Sequence, residues 1–179
     1  SLSRLGYLVD TSVTPFVSWR AYHEPDFSEF DPSVFKFFNH DLGRENEKDF
    51  LLEVPATIGF LQPNYKLCGR LLKVLQCGIS LKLHLVGILY VARILTKVWL
   101  SPEFSDSDLM IKLAKRMEKN KYKIINFTFH SSSLERGMSP FVRTDEDKEE
   151  FFKRIDQFLS FITRSRFEAH ILAKSKYEG

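Results

Sequence analysis

The chain has 179 residues, 44 % of them apolar, which is enough material for one domain with its own core. Its 26 basic and 23 acidic side chains are intermixed and leave a net charge of +3, so no basic surface suited to nucleic acid is expected. The start Ser1–Gly6 lacks a basic cap followed by an apolar run, and the most apolar stretch, 79–100, is broken by Lys82, His84, Arg93 and Lys97. Neither a secretory leader nor a membrane span of ~20 apolar residues is therefore legible, and a cytoplasmic location is the expectation.

Gly6–Asp10 reads as a short buried strand ending in a carboxylate, and Thr11–Pro15 as the turn after it. The opening directly into strand-like sequence suggests a fragment or a truncated reading frame. From Phe16 to Asp49 no period holds, so a long irregular excursion is expected, of the kind that is usually functional or poorly ordered. Phe50–Pro55 is the next strand. Pro63 opens a helix with Leu67, Leu71, Leu72 and Leu75 at helical spacing, ended by Gly78. A second helix over 83–95 is apolar nearly all round. Lys97–Leu100 is a strand stopped by Pro102.

Ser105 or Ser107 is expected to cap a helix whose buried face is Met110, Leu113, Ala114 and Met117. Asp106 and Asp108 suit its positive end. Lys123–Phe129 reads as a strand ending at His130. Thr144 with Asp147 forms a capping box for the last helix, whose stripe is Phe151, Ile155, Phe158 and Ile162. Strand and helix alternating in this half imply parallel strands with helices outside, a fold in which ligands gather at the carboxyl ends of strands. Asp10, the Glu53–Pro55 corner, Trp99–Pro102 and His130 occupy such positions.

Phe is abundant at 17 residues against 2 Trp and 6 Tyr, and rings without a polar handle are expected to be mostly buried. Cys68 and Cys77 are the only thiols, too few for a disulfide framework and without zinc-finger partners, so both are read as reduced and buried. His130 directly follows an apolar strand and leads into Ser131–Ser133, where an imidazole can reach a cleft and exchange protons near neutral pH. A histidine that only satisfies a loop carbonyl is the bland alternative. Asp10 either orients that imidazole or caps its own turn near Ser12. His23 with Glu24 and Asp26, and His40 with Asp41, are conceivable metal ligands, but in polar loop sequence a solvated surface is the commoner outcome. Arg164, Arg166, Lys174 and Lys176 read as a solvated basic tail over 164–179.

Four segments carry a resemblance. Leu5–Pro15 resembles the fourth conserved block of NodB-type polysaccharide deacetylases (carbohydrate esterase family 4), and Glu53–Gly59 is similar to the block that follows in the exopolysaccharide branch. Val98–Pro102 resembles another block. Asn126–Arg143 is similar to the closing block, which holds the last catalytic histidine. The likeness spans the chain to about Phe161.

The resemblance implies an α/β fold, a partial distorted (β/α) barrel over 1–163 with its N-terminal strands missing. The activity implied is metal-assisted hydrolysis of N- or O-acetyl groups on a polysaccharide or oligosaccharide. Carried over, His130 is the acid that protonates the leaving group and Asp10 the residue that orients it. Ser12, Trp99, Phe129 and Ser131 line the substrate, with Trp99 and Phe129 walling the acetyl group. A divalent metal, zinc or similar, belongs to the complete family.

The acidic pair of the first block, the His-x-x-x-His block and the Arg-Pro block have no counterpart here, so this chain's own metal set reads as none. The expectation is a C-terminal portion inactive alone, with self-association or pairing with a missing N-terminal half through unpaired strand edges. The alternative is a non-catalytic carbohydrate-binding or protein-interaction remnant.

Overall fold

A computed structural model of the chain describes residues 2, 5–23, 25–38, 50–75 and 95–170. Strands β1 (Val9–Asp10), β3 (Phe50–Glu53) and β2 (Phe35–Phe38) form one sheet in the order β1-β3-β2. β1 runs parallel to β3, with Asp10 opposite Glu53, and β2 runs antiparallel to β3. The expected excursion over 16–49 therefore contains a strand. Four residues are too few to show a period, and the pairing of Phe35 to Phe38 with Glu53 to Phe50 is what makes β2.

Strands β4 (Ile58–Phe60) and β5 (Lys97–Trp99) form a second sheet and are antiparallel, with Ile58 opposite Trp99 and Phe60 opposite Lys97. The chain re-enters at the end where it left: Leu61 N donates to Thr96 O at 3.1 Å and Thr96 N to Gln62 Oε1 at 3.1 Å. This antiparallel pair joins β5 to a strand that precedes the C-terminal half, where parallel strands are expected between 97–100 and 123–129. Among the described residues the strands close no barrel.

Helix α1 (Tyr65–Leu75) starts where Asn64 Oδ1 accepts from Leu67 N at 3.0 Å. Its buried side is Tyr65, Cys68 and Leu72, while Leu67 and Leu71 of the expected face are exposed. Close approach explains the rotation. A Cβ on Gly69 would sit 3.0 Å from the Phe16 ring, so glycine lets that ring lie against the helix without a shift. Burial pushes the Cys68 thiol pKa up, as fits an unreactive thiol.

Helix α2 (Ser107–Lys119) buries Met110, Leu113, Ala114 and Met117 as their spacing predicts. Its cap is Asp106, whose Oδ1 accepts from Leu109 N at 2.8 Å. Ser105 turns inward to accept from Trp99 N at 3.3 Å, and Ser107 bonds Gln157. Helix α3 (Asp145–Thr163) carries the Thr144–Asp147 capping box and buries Phe151 and Phe158, with Ile155 and Ile162 half-buried. Beyond Thr163 the chain folds back, so Phe167 lies 6.5 Å from Phe161 beside the core. The start of the expected basic tail is thus partly packed.

The core joins both halves through Phe16, Phe60, Tyr65, Leu100, Met110, Leu113, Met117 and Phe158. Phenylalanine is split between roles: Phe16, Phe60, Phe151 and Phe158 are buried, whereas Phe30, Phe104, Phe129 and Phe152 are exposed. Among the described residues no helix is long and apolar enough to cross a membrane. Apart from Leu95, the helix expected over 83–95 lies outside the described residues, as do Gly78, Cys77, Glu24, His40, Asp41, Asp49, His84, Lys174 and Lys176.

Candidate functional site

The segment before His130 was expected to be a strand, yet 123–129 carries no ladder. Single bonds hold it instead. Thr57 N donates to Asn126 O at 3.3 Å and Thr128 N donates to Leu100 O at 3.3 Å. Asn126 N donates to Thr57 Oγ1 at 2.7 Å, and its Nδ2 to Val54 O at 3.1 Å. Asn126 is buried, so these bonds satisfy polar groups that water cannot reach, and they set the path that delivers His130 to the end of β5.

There His130 meets Glu103. The imidazole Nδ1 lies 2.9 Å from Glu103 Oε2, and His130 N donates to Glu103 Oε1 at 3.0 Å. Ser133 Oγ donates to the same Oε1. The Glu103 side chain is 1 % exposed and that of His130 is 70 % exposed. A buried carboxylate thus grips an imidazole that faces solvent. Ser133 follows on a short 3-10 turn, Ser131–Leu134, for which His130 is the N-cap residue. It is fully buried, and its hydroxyl also lies 3.0 Å from Ser139 Oγ.

Rings continue the site. Trp99 and Phe104 have centroids 4.6 Å apart, Phe104 and Phe141 5.0 Å, and Phe141 lies nearly parallel to the His130 ring at 6.4 Å. Phe104 is 48 % exposed, an apolar face beside a polar one. Phe129 belongs to a different arc. Its ring packs 5.7 Å from both Phe127 and Phe151, toward α3, leaving it 36 % exposed. Trp99 and Phe129, expected to share a wall, therefore face different neighbours. Ser131 is exposed at the start of the 3-10 turn.

Asp10 lies in the other sheet. Its Oδ1 accepts from Thr11 N at 2.8 Å and its Oδ2 from Ser12 Oγ at 3.0 Å, the self-capped turn weighed in the sequence. The carboxylate on His130 is that of Glu103, which the sequence reading passed over. Its signal was the block Val98–Pro102, which stops one residue short of it. Beside Asp10 lies Glu53, buried, with Oε1 accepting from Val13 N at 3.0 Å. Burial raises the Glu53 carboxyl pKa above its ordinary value; the Val13 bond opposes the rise, and the Asp10 charge adds to it.

The described residues contain no group of three His, Cys, Asp or Glu side chains able to hold a metal ion. Of the ligands considered in the sequence, Asp26 is taken by Arg20 at 3.0 Å and by Ser28 N at 3.0 Å, and His23 sits at φ 60° on a surface turn. These donors do not fit a metal cage. No protein-family model, curated protein or solved structure matches the chain.

Proposed function

We propose that the chain is the C-terminal portion of a polysaccharide deacetylase-like carbohydrate esterase, a partial (β/α) barrel in which His130 protonates the leaving amine or alkoxide. The observation that carries this reading is the exposed imidazole held by a buried carboxylate at the end of β5. A histidine that merely satisfied a loop carbonyl would not need a carboxylate withdrawn from water at its back. Exposed Phe104, next to Trp99 and Phe141, gives the apolar face of a sugar ring a surface to rest on. Ser131 and Phe129 border the same turn. Asp10 and Ser12, carried over with the same family block, close a separate turn at the end of β1.

Proton donation alone accelerates hydrolysis modestly, by ~100-fold to ~10,000-fold, so a base and a metal must come from elsewhere. The chain by itself is expected to release no acetate. The test pairs binding with turnover. Acetylated chitooligosaccharide or xylan fragments should shift the His130 ring signals in NMR, and added zinc or cobalt should yield no acetate. Absence of any His130 shift at millimolar sugar sinks the carbohydrate reading. Metal-dependent acetate release by this chain sinks the claim that it is incomplete.

A second reading, a non-catalytic carbohydrate-binding or protein-interaction remnant, draws on the edge of the first sheet. Among the described residues β1 is an outer strand, and Leu5, Tyr7 and Leu8 beside it are 76 %, 57 % and 66 % exposed. Apolar side chains along a strand edge suit pairing with a further strand. Concentration-dependent association lost in Leu8→Lys, with sugar binding absent, would favour it.

A further inference from the structure

We infer that Glu103 is the positioning residue of this site: it fixes His130 as the Nδ1–H tautomer, so that Nε2 is the atom that exchanges protons, and Ser133 locks the carboxylate in that role. The catalytic meaning rests on the reading of His130 given above, but the tautomer itself is a property of the folded chain.

Glu103 Oε1 already receives two hydrogens, from His130 N at 3.0 Å and from Ser133 Oγ. Oε2 is left for the ring, and Nδ1 stands 2.9 Å from it. A carboxylate so engaged acts as acceptor, so Nδ1 must carry hydrogen. In the neutral ring only one nitrogen is protonated, which leaves the Nε2 lone pair facing solvent. Protonation then adds its hydrogen at Nε2, and the same atom serves as base or as acid.

Both carboxylate oxygens bond to the same residue, one to its backbone and one to its ring. The imidazole is therefore fixed in rotation as well as in tautomer. Ser133 has a single hydroxyl hydrogen, spent on Glu103, so the 3.0 Å contact with Ser139 is supplied by the Ser139 hydroxyl. Ser139 Oγ in turn accepts from Phe141 N at 3.3 Å. A directed run of donors thus leads from the Phe141 backbone to the carboxylate, inside a site where Ser133 is fully buried. Phe141, whose ring flanks the imidazole, anchors that run. Asp10 takes no part, since its two oxygens serve Thr11 and Ser12.

The test reads ring-nitrogen shifts of the 15N-labelled chain in mildly alkaline buffer, with His130 assigned by its loss in His130→Gln. Wild type should show a protonated Nδ1 and a bare Nε2. Glu103→Gln should lose that signature and move toward the Nε2–H form that free imidazole favours. Ser133→Ala should weaken it without abolishing it, and Asp10→Asn should leave it intact. A wild-type Nε2–H tautomer overturns the inference even if no variant folds. So does a signature that survives Glu103→Gln or vanishes in Asp10→Asn. Since no sugar is present, failure to bind carbohydrate leaves this result standing, and the two ideas fail separately.

Discussion

Among the described residues, two buried carboxylates stand near strand ends, and they are treated differently. Glu103, after β5, receives three donors, from His130 N, His130 Nδ1 and Ser133 Oγ. Glu53, at the end of β3, receives Val13 N and has the Asp10 carboxylate as its neighbour. Burying a charge costs free energy that only donors or opposite charges offset. At Glu103 the offset comes from groups that in turn point a histidine outward. At Glu53 the compensation is smaller, and the carboxyl pKa rises. Burial alone therefore does not mark a functional acid; what its donors do next decides.

Replacing Glu103 by Leu removes both acceptor oxygens from three donors and should destabilise the fold by about 3 kcal/mol in denaturant titration. A change below ~1 kcal/mol would show that the three bonds contribute little. Asn126 ties the two regions together through Val54 and Thr57, so Asn126→Ala should cost about 2 kcal/mol. It should also broaden the His130 signals, because the path that delivers the ring is loosened.

Glu53→Gln sharpens the contrast through pH. The folded Glu53 pKa lies above its ordinary value, so this group favours folding below its unfolded pKa and withdraws that support as pH climbs through the folded one. The variant should therefore match wild type in acid and exceed it near neutrality. Thermal melts across that range check the sign, and a variant less stable at neutral pH would refute it. Asp10→Asn should be smallest, a change within ~0.5 kcal/mol, because its turn is exposed and Asn keeps the side-chain bond to Thr11 N.

Local chemistry made several elements readable. The α2 face of Met110, Leu113, Ala114 and Met117 and the α3 capping box at Thr144 depend on spacing within one turn of helix, and the structure has both. Where partners lie far apart in the chain, the reading ran short. β2 exists through its pairing with β3, and the α1 face turned to Tyr65, Cys68 and Leu72 because Phe16 packs on Gly69. Asp106 rather than a neighbouring serine became the α2 cap once Ser105 was drawn to Trp99 N and Ser107 to Gln157.

The same division holds at the site. That His130 follows an apolar segment and opens a serine-rich turn was legible beforehand, since both are matters of adjacent residues. Which carboxylate stands behind it was decided by the tertiary structure. Glu103 is 27 residues away and reaches the ring because Asn126 and Thr128 hold the intervening segment against Thr57 and Leu100. Hydrogen-bond partners of a buried charge are chosen by proximity in space, and one-dimensional order carries no record of that distance.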